Sequence, residues 1–396
     1  MANLHPFKAL RPRPELAEKV ATLPYDVMNR SEAKEMARTS HWSFLRVTRS
    51  EIDLPDDVSS YADIVYKKAI ENLNQMIEEE VLVQEEEPKL YLYRLKMGAH
   101  EQTGVVGCFS VDEYDHHLIK RHERTRREKE DDRTKHIQSV MAQTGPVFLT
   151  YSFKNNVQVE VDTWKKKAPL FDFKSEDGVH HTVWIVDEPA KLVEIFRKQV
   201  NCLYIADGHH RAASASRVRS EVRSVESQTF LAVAFPDSEL QVLPYHRVIK
   251  NFGGLSDEGF LEHLKERFEL EKGNSAIPPQ GKVGMYFQKK WHLLTLKPGK
   301  NAYRLDVDML QEELLAPVFK IIDPREDKRI DFVGGIRGTV ELERLVNSGD
   351  AKIAFSMHPT PVGEVMRIAD EGGIMPPKST WFEPKLRDGL LIHSLT

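Results

Sequence analysis

One carboxylate, two imidazoles and one guanidinium stand on a single short turn, Ala206-Asp207-Gly208-His209-His210-Arg211. The apolar run before it, residues 202–206, reads as a buried strand, and residues 212–216 read as the opening of a helix. Gly208 between them lets the backbone turn tightly and approach a ligand, and the first amides of a helix favour an anion. Asp207 can hold a magnesium ion, a hard cation that prefers oxygen ligands. Arg211 can clamp a phosphate by two points, and His209 or His210 can donate to developing negative charge or move a proton near neutral pH. A plain helix cap needs only Asp207, and the other side chains exceed that requirement. The turn therefore reads as a phosphate-handling site.

Three further clusters carry similar chemistry. Residues 121–133, Arg-His-Glu-Arg-Thr-Arg-Arg-Glu-Lys-Glu-Asp-Asp-Arg, nearly cancel in charge. They read either as a solvated helix with pairs four apart, such as Glu123 with Arg127, or as an anion site. In the second reading Arg121, Arg124 and Arg127 bind phosphate and Glu123 is a carboxylate base, which is what phosphoryl transfer to a hydroxyl needs. Lys378, Ser379 and Thr380 sit in a proline-stiffened segment, residues 375–386, and read as a phosphate-contacting loop or an exposed turn. No Gly-x-x-x-x-Gly precedes them and no long helix follows, which argues against a Walker-type loop. Arg337 among Gly334, Gly335 and Gly338 is a weaker anion candidate. No nucleophile elbow or dinucleotide fingerprint appears.

The elements that must position these residues alternate without repeats. An amphipathic helix is expected over 57–80, a strand pair over 90–95 and 105–111, a charged helix over 119–142, and strands at 148–151 and 230–235. Beyond residue 250 come helices at 256–268, 306–318 and 338–348, a hairpin over 282–297 and a strand over 353–357. A last helix should start at Thr360 as N-cap with Pro361 at its first position and close at Gly372-Gly373. This pattern gives an α+β fold, with residues 1–250 as a catalytic domain and 251–396 as a C-terminal domain whose 375–386 loop returns to the active site. The 56 basic and 61 acidic residues leave a net charge of −5, without the basic excess that a dedicated nucleic-acid binder normally shows. No apolar run approaches the roughly 18 residues of a membrane span. The only cysteines, Cys108 and Cys202, each lie in an apolar run and read as free thiols of a cytoplasmic protein.

Four motifs also resemble a bacterial family long labelled as a domain of unknown function: Leu-Pro-Tyr-Asp-Val (23–27), Arg-His-Glu-Arg-Thr-Arg (121–126), Ala-Asp-Gly-His-His-Arg-Ala-Ala-Ser-Ala (206–215) and Met-Pro-Pro-Lys-Ser-Thr-Trp-Phe-Glu-Pro-Lys-Leu (375–386). The Asp-Gly-His-His-Arg loop resembles the phosphate loop of the ParB/sulfiredoxin superfamily, which includes kinases of free L-serine. The resemblance implies a ParB/sulfiredoxin-like core with large additions and a pyrophosphate-dependent serine kinase activity within serine biosynthesis. It further implies that Asp207 to Arg211 bind the transferred phosphoryl group and that a glutamate, here Glu123, deprotonates the serine hydroxyl. The expectation is an enzyme that makes O-phospho-L-serine from pyrophosphate or a nucleotide with magnesium, without nucleic acid or membrane as partner. Two alternatives stay open: a phosphoserine phosphatase using water in place of the acceptor, and a ParB-like nucleotide- or DNA-binding module.

Overall fold

The structure, a computed structural model, describes residues 2–298 and 305–396. By packing the chain falls into two units, one comprising 1–240, 369–372 and 384–396, the other 241–368 and 373–383. The boundary expected near residue 250 falls just after Tyr245–Ile249, a strand of the second unit.

The first unit is built on a nine-stranded mixed sheet. Its order is Ile119–Lys120, Leu203–Asp207, Val147–Tyr151, Thr229–Pro236, His100–Ser110, Leu90–Met97, His180–Val186 and Phe171–Lys174, with Leu4–His5 alongside His100–Ser110. The central strands are apolar on both faces, which is what a sheet covered on both sides requires. Leu149, Ile205, Phe230 and Phe109 meet Trp184 and Phe196 in one core. Two glycines in the longest strand are fixed by packing rather than by conformation. A Cβ on Gly104 would lie 2.5 Å from Val233, and one on Gly107 would lie 2.5 Å from Leu4. A second, four-stranded sheet joins Leu82–Gln84, Ala9–Pro12, Ile392–Ser394 and Ala142–Gln143, so the last residues of the chain are part of the first unit.

The mixed α and β content and the strand pair at 90–110 match the sequence reading, but several element bounds do not. The amphipathic helix is Asp63–Glu78 rather than 57–80, and its buried face includes Tyr66 and Asn72 while Ile77 is exposed. The expected helix over 119–142 is a correction of more consequence. Residues 119–120 extend the sheet, 121–126 form a loop, and the helix is Arg127–Val140, closed by Met141 in the left-handed region. Glu123 and Arg127 therefore do not form a helical pair. Asp112–Asp115 lie in a short helix, Val111–Asp115, beside the same strand end.

The second unit carries a six-stranded sheet in the order Phe268–Lys272, Lys290–Leu296, Lys282–Phe287, Ile353–Ser356, Tyr245–Ile249 and Ile330–Gly334. Every pairing in it is antiparallel. Phe260, Phe287 and Phe319 pack around Phe252 in its core. The helix expected at 306–318 is regular only over Asp306–Leu310 and widens into a π-turn over Gln311–Leu315, where Ala316 N–H reaches the Gln311 carbonyl at 2.9 Å. The last helix is Val362–Asp370, and Gly372, at φ +67°, closes it as expected. No helix among the described residues is long and apolar enough to cross a membrane.

Candidate active site

The strand Leu203–Asp207 enters the sheet parallel to Ile119–Lys120 and antiparallel to Val147–Tyr151, with its register shifted between Ile205 and Asp207. Gly208 follows at φ +93°, and the helix His209–Val222 starts at once, with no side chain capping it. Two demands fix the glycine. The left-handed backbone disfavours any side chain, and a Cβ there would lie 3.0 Å from Arg211 Nε. The expected strand, turn and helix are thus all present.

Asp207 sits at the strand end with its side chain 28% exposed. Its Oδ1 accepts from Gly208 N–H at 2.8 Å, and its Oδ2 accepts from Lys385 Nζ at 2.9 Å. Arg211 Nη2 stands 4.0 Å from Oδ1. Burial alone would push this carboxyl up, but Lys385 and Arg211 together hold it well below the usual carboxylate range. Lys385 itself is 9% exposed, so a buried cation and a carboxylate face each other at the mouth of a helix. Sequence reading placed the lysine of the 375–386 segment at Lys378 and missed Lys385. Nothing in local spacing could have found it, because it lies 178 residues from its partner.

The imidazoles are held in a second layer. His209 is 6% exposed, and its Nε2 has no hydrogen-bond partner. Against it, edge to face at 4.5 Å between centroids, packs the ring of His122, which is 2% exposed with both nitrogens unpartnered. Burial lowers His122 to about 4, against the pull of Asp207, and holds His209 well below its usual value. Both rings are therefore neutral at pH 7. Arg126 N–H donates to His210 Nε2 at 3.0 Å. The 121–126 loop is thereby fastened to the start of the helix at two points, by the His122–His209 contact and by the Arg126–His210 bond. Half-buried Glu123 lies between those two fastenings in the chain. Arg121, Arg124 and Arg127 are exposed, and Arg121 Nη1 reaches the Tyr114 hydroxyl at 3.4 Å.

Arg211 is buried and donates to the Pro146 carbonyl. Burial would lower its pKa, but the carboxylates of Asp26, Asp207 and Asp388 more than offset that and raise it. A cavity of about 30 Å3, room for about one water, lies among Arg211, Tyr25, Arg133 and Asp388. Arg133 stacks on the Tyr25 ring at 4.0 Å, which gives the Leu-Pro-Tyr-Asp-Val motif a structural role. Asp388 is 2% exposed, and burial raises its carboxyl to about 7 despite Arg211. A side chain at Gly145 would collide with it, a Cβ falling 2.2 Å from Asp388 Oδ1.

Arg337, Lys378, Ser379 and Thr380 belong to the second unit. Arg337 is exposed at the end of a short 3-10 turn, Gly335–Arg337. Lys378 is exposed at φ +59°, its Nζ 5.5 Å from the Tyr245 ring. Ser379 is buried, donates from Oγ to the Pro376 carbonyl at 2.7 Å, and accepts at its own carbonyl from Thr360 Oγ1 at 2.9 Å. Thr380 is half-buried. Both thiols are free, Cys108 buried and Cys202 half-buried.

Asp207 is the one candidate metal ligand, and no cluster of three or more His, Cys, Asp or Glu side chains disposed to hold an ion occurs among the described residues. A single ionised carboxylate fits magnesium, which keeps several waters and takes its other ligands from substrate phosphates.

Asp207, Lys385, the His122–His209 pair and His210 thus stand together at the start of one helix, next to the glycine turn that ends a central strand. The chain belongs to the family described as "Protein of unknown function (DUF1015)", which matches residues 4–318. None of the curated proteins matches it. Among solved structures it is similar to a conserved hypothetical protein from Pyrococcus furiosus, at 15% identity and a TM-score of 0.38 over 73% of this chain and 94% of that one. It is similar to SbnI with C-terminal truncation from Staphylococcus aureus, at 10% identity and a TM-score of 0.41 over 72% and 85%. It is also similar to a free serine kinase in complex with AMP, at 14% identity and a TM-score of 0.38 over 73% and 91%.

Proposed function

We propose that this chain is a cytoplasmic phosphotransferase that moves a phosphoryl group to the hydroxyl of free L-serine, with pyrophosphate or a nucleotide as donor and magnesium as cofactor. The observation that carries the reading is the double fastening of the 121–126 loop to the start of the helix His209–Val222, beside Asp207 and Lys385. It supports the reading because it ties the segment that carries Glu123 to the helix start next to Asp207 and Lys385. The choice of serine as acceptor comes from the motif resemblance alone.

In the proposed reaction the serine Oγ attacks the terminal phosphorus of the donor, the new O–P bond forms, and the bond to the bridging oxygen breaks. Phosphate leaves from pyrophosphate, or the shortened nucleotide leaves from a nucleotide donor. Glu123 takes the hydroxyl proton. Asp207 stays ionised throughout the physiological range and would hold magnesium, which neutralises the donor when bound. Lys385 is already desolvated and turned to Asp207, so it can shift to a phosphate oxygen without a new burial cost. The His209 and His122 nitrogens offer neutral donors near the same helix start.

The test incubates the purified chain and magnesium with L-serine and, in turn, pyrophosphate, ADP and ATP, followed by phosphorus NMR. Phosphoserine formed from any of these supports the reading. Hydrolysis of added phosphoserine without transfer replaces it with a phosphatase, and binding of DNA without either reaction removes the enzyme.

A further inference from the structure

A larger cavity, of about 300 Å3, lies elsewhere in the first unit, lined by parts of residues 18–23, 36–45 and 175–177 and by Arg387. That volume suits a small metabolite. At its wall the Arg387 side chain is 4% exposed. Arg387 Nε donates to His181 Nε2 at 3.2 Å, and its Nη2 donates to Ser175 Oγ at 3.1 Å and to Asp177. His181 is fully buried, and its Nδ1 meets the Tyr93 hydroxyl at 2.8 Å. The guanidinium is thus oriented through Nε and Nη2, while Nη1 has no hydrogen-bond partner among the described residues. Thr22 also lines the cavity; it is 8% exposed and its Oγ1 is buried without a partner. Exposed Glu18 and Glu176 belong to the same lining and form no ion pair among the described residues.

We propose that this cavity binds a free α-amino acid, its carboxylate on Arg387 Nη1 and the Thr22 hydroxyl and its ammonium group on Glu18 and Glu176. Lys19 and Asp177 also line the cavity, so its charged groups are Lys19 and Arg387 against Glu18, Glu176 and Asp177, with Asp177 already paired to Arg387 Nη2. A lining of both signs suits the zwitterion: a simple carboxylate would leave Glu18 and Glu176 opposing it, and a simple amine would face Lys19 and the Arg387 guanidinium. The pocket was not legible as a site in the sequence, where its residues are scattered from Glu18 to Arg387. It does not depend on phosphoryl transfer at Asp207.

The test titrates the full-length chain calorimetrically with each standard L-amino acid, and with propionate and ethylamine as probes lacking one charge. At least one amino acid should bind, with propionate and ethylamine at least tenfold weaker. Arg387→Lys and the paired change Glu18→Gln with Glu176→Gln should each weaken that binding at least tenfold. The glutamates are exposed, so the paired variant decides the matter even if Arg387→Lys does not fold. Absence of amino-acid binding, equal binding of propionate, or unchanged binding in the glutamate variant overturns the proposal. Heat from L-serine that survives in the glutamate variant belongs to the Asp207 site, so the cavity is judged on the amino acids other than L-serine. Calorimetry reads binding without turnover, so a chain inactive as a phosphotransferase leaves this outcome intact.

Discussion

The loop at Asp207 and the turn at Lys378 look alike as strings of residues, since each offers cations and hydrogen-bonding groups beside a rigid bend. Their structures differ in how those groups are used. In the first unit His209 Nε2 and both nitrogens of His122 are buried without partners, and Asp207 is kept ionised by a buried lysine. In the second unit the hydroxyl and carbonyl of buried Ser379 are both engaged, one to Pro376 and one from Thr360. Buried polar groups normally find partners because leaving one unmade costs about 1–3 kcal/mol. The turn at Lys378 spends the polar groups of Ser379 on its own backbone, whereas the loop at Asp207 keeps buried imidazole nitrogens unpartnered.

The largest expected effect breaks the first side of this comparison. Asp207→Asn should reduce turnover below detection and also destabilise the fold, because the buried Lys385 loses the carboxylate it faces. Breaking such a pair costs about 3 kcal/mol. Urea unfolding should show that loss, and Asp207→Asn combined with Lys385→Met should recover most of the stability but none of the activity. If the double variant is no more stable than the single one, the ion pair is not what holds the loop. Next comes Glu123→Gln, for which kcat should fall about 100-fold or more with the unfolding midpoint unchanged, as expected for loss of a general base. Wild-type kcat would remove Glu123 from the role.

The strand, glycine and helix around Asp207 were legible because apolar periodicity and a glycine punctuate that stretch within a few residues. The charged stretch 119–142 misled because composition permits a helix throughout, whereas the backbone of 121–126 is held by His122 and Arg126 against residues more than 80 positions away. The same limit hid Lys385, Arg387 and Asp388. Each is buried and each faces an opposite charge supplied by a distant segment: Asp207, Asp177 and Arg211 respectively. In sequence, three charges among four residues near the C-terminus look like solvated surface.

A pH series sharpens the contrast through the neutral imidazoles. His122 titrates near 4 when folded and near 6.5 when unfolded, so the unfolded chain binds the extra proton between those values. Its contribution to stability is complete above pH 6.5 and is lost as pH falls toward 4, by up to about 3 kcal/mol at one pKa unit per roughly 1.4 kcal/mol. Asp388 acts with the opposite sign. Its folded pKa of about 7 lies above its ordinary 3.8, so its contribution is complete below 3.8 and is lost as pH rises toward 7. His122→Phe should therefore flatten the acid limb of a stability–pH curve, and Asp388→Asn should steepen it. Unfolding curves between pH 4 and 8 that are parallel for wild type and both variants would show that neither group is as buried in solution as the fold requires.

The smallest effect probes the satisfied turn. Ser379→Ala removes the hydrogen bond to the Pro376 carbonyl and nothing else that the structure assigns to the hydroxyl. The expected loss is about 1 kcal/mol of stability, the usual net worth of one such bond, with KM for the phosphoryl donor unchanged. The opposite result, a raised donor KM at unchanged stability, would mean that the hydroxyl leaves Pro376 for the ligand, the phosphate-contacting alternative for the Lys-Ser-Thr turn. The two readouts separate cleanly because a hydroxyl that spends its hydrogen bond on the backbone contributes to folding in every state of the enzyme. A hydroxyl that contacts the donor contributes only when the donor is bound.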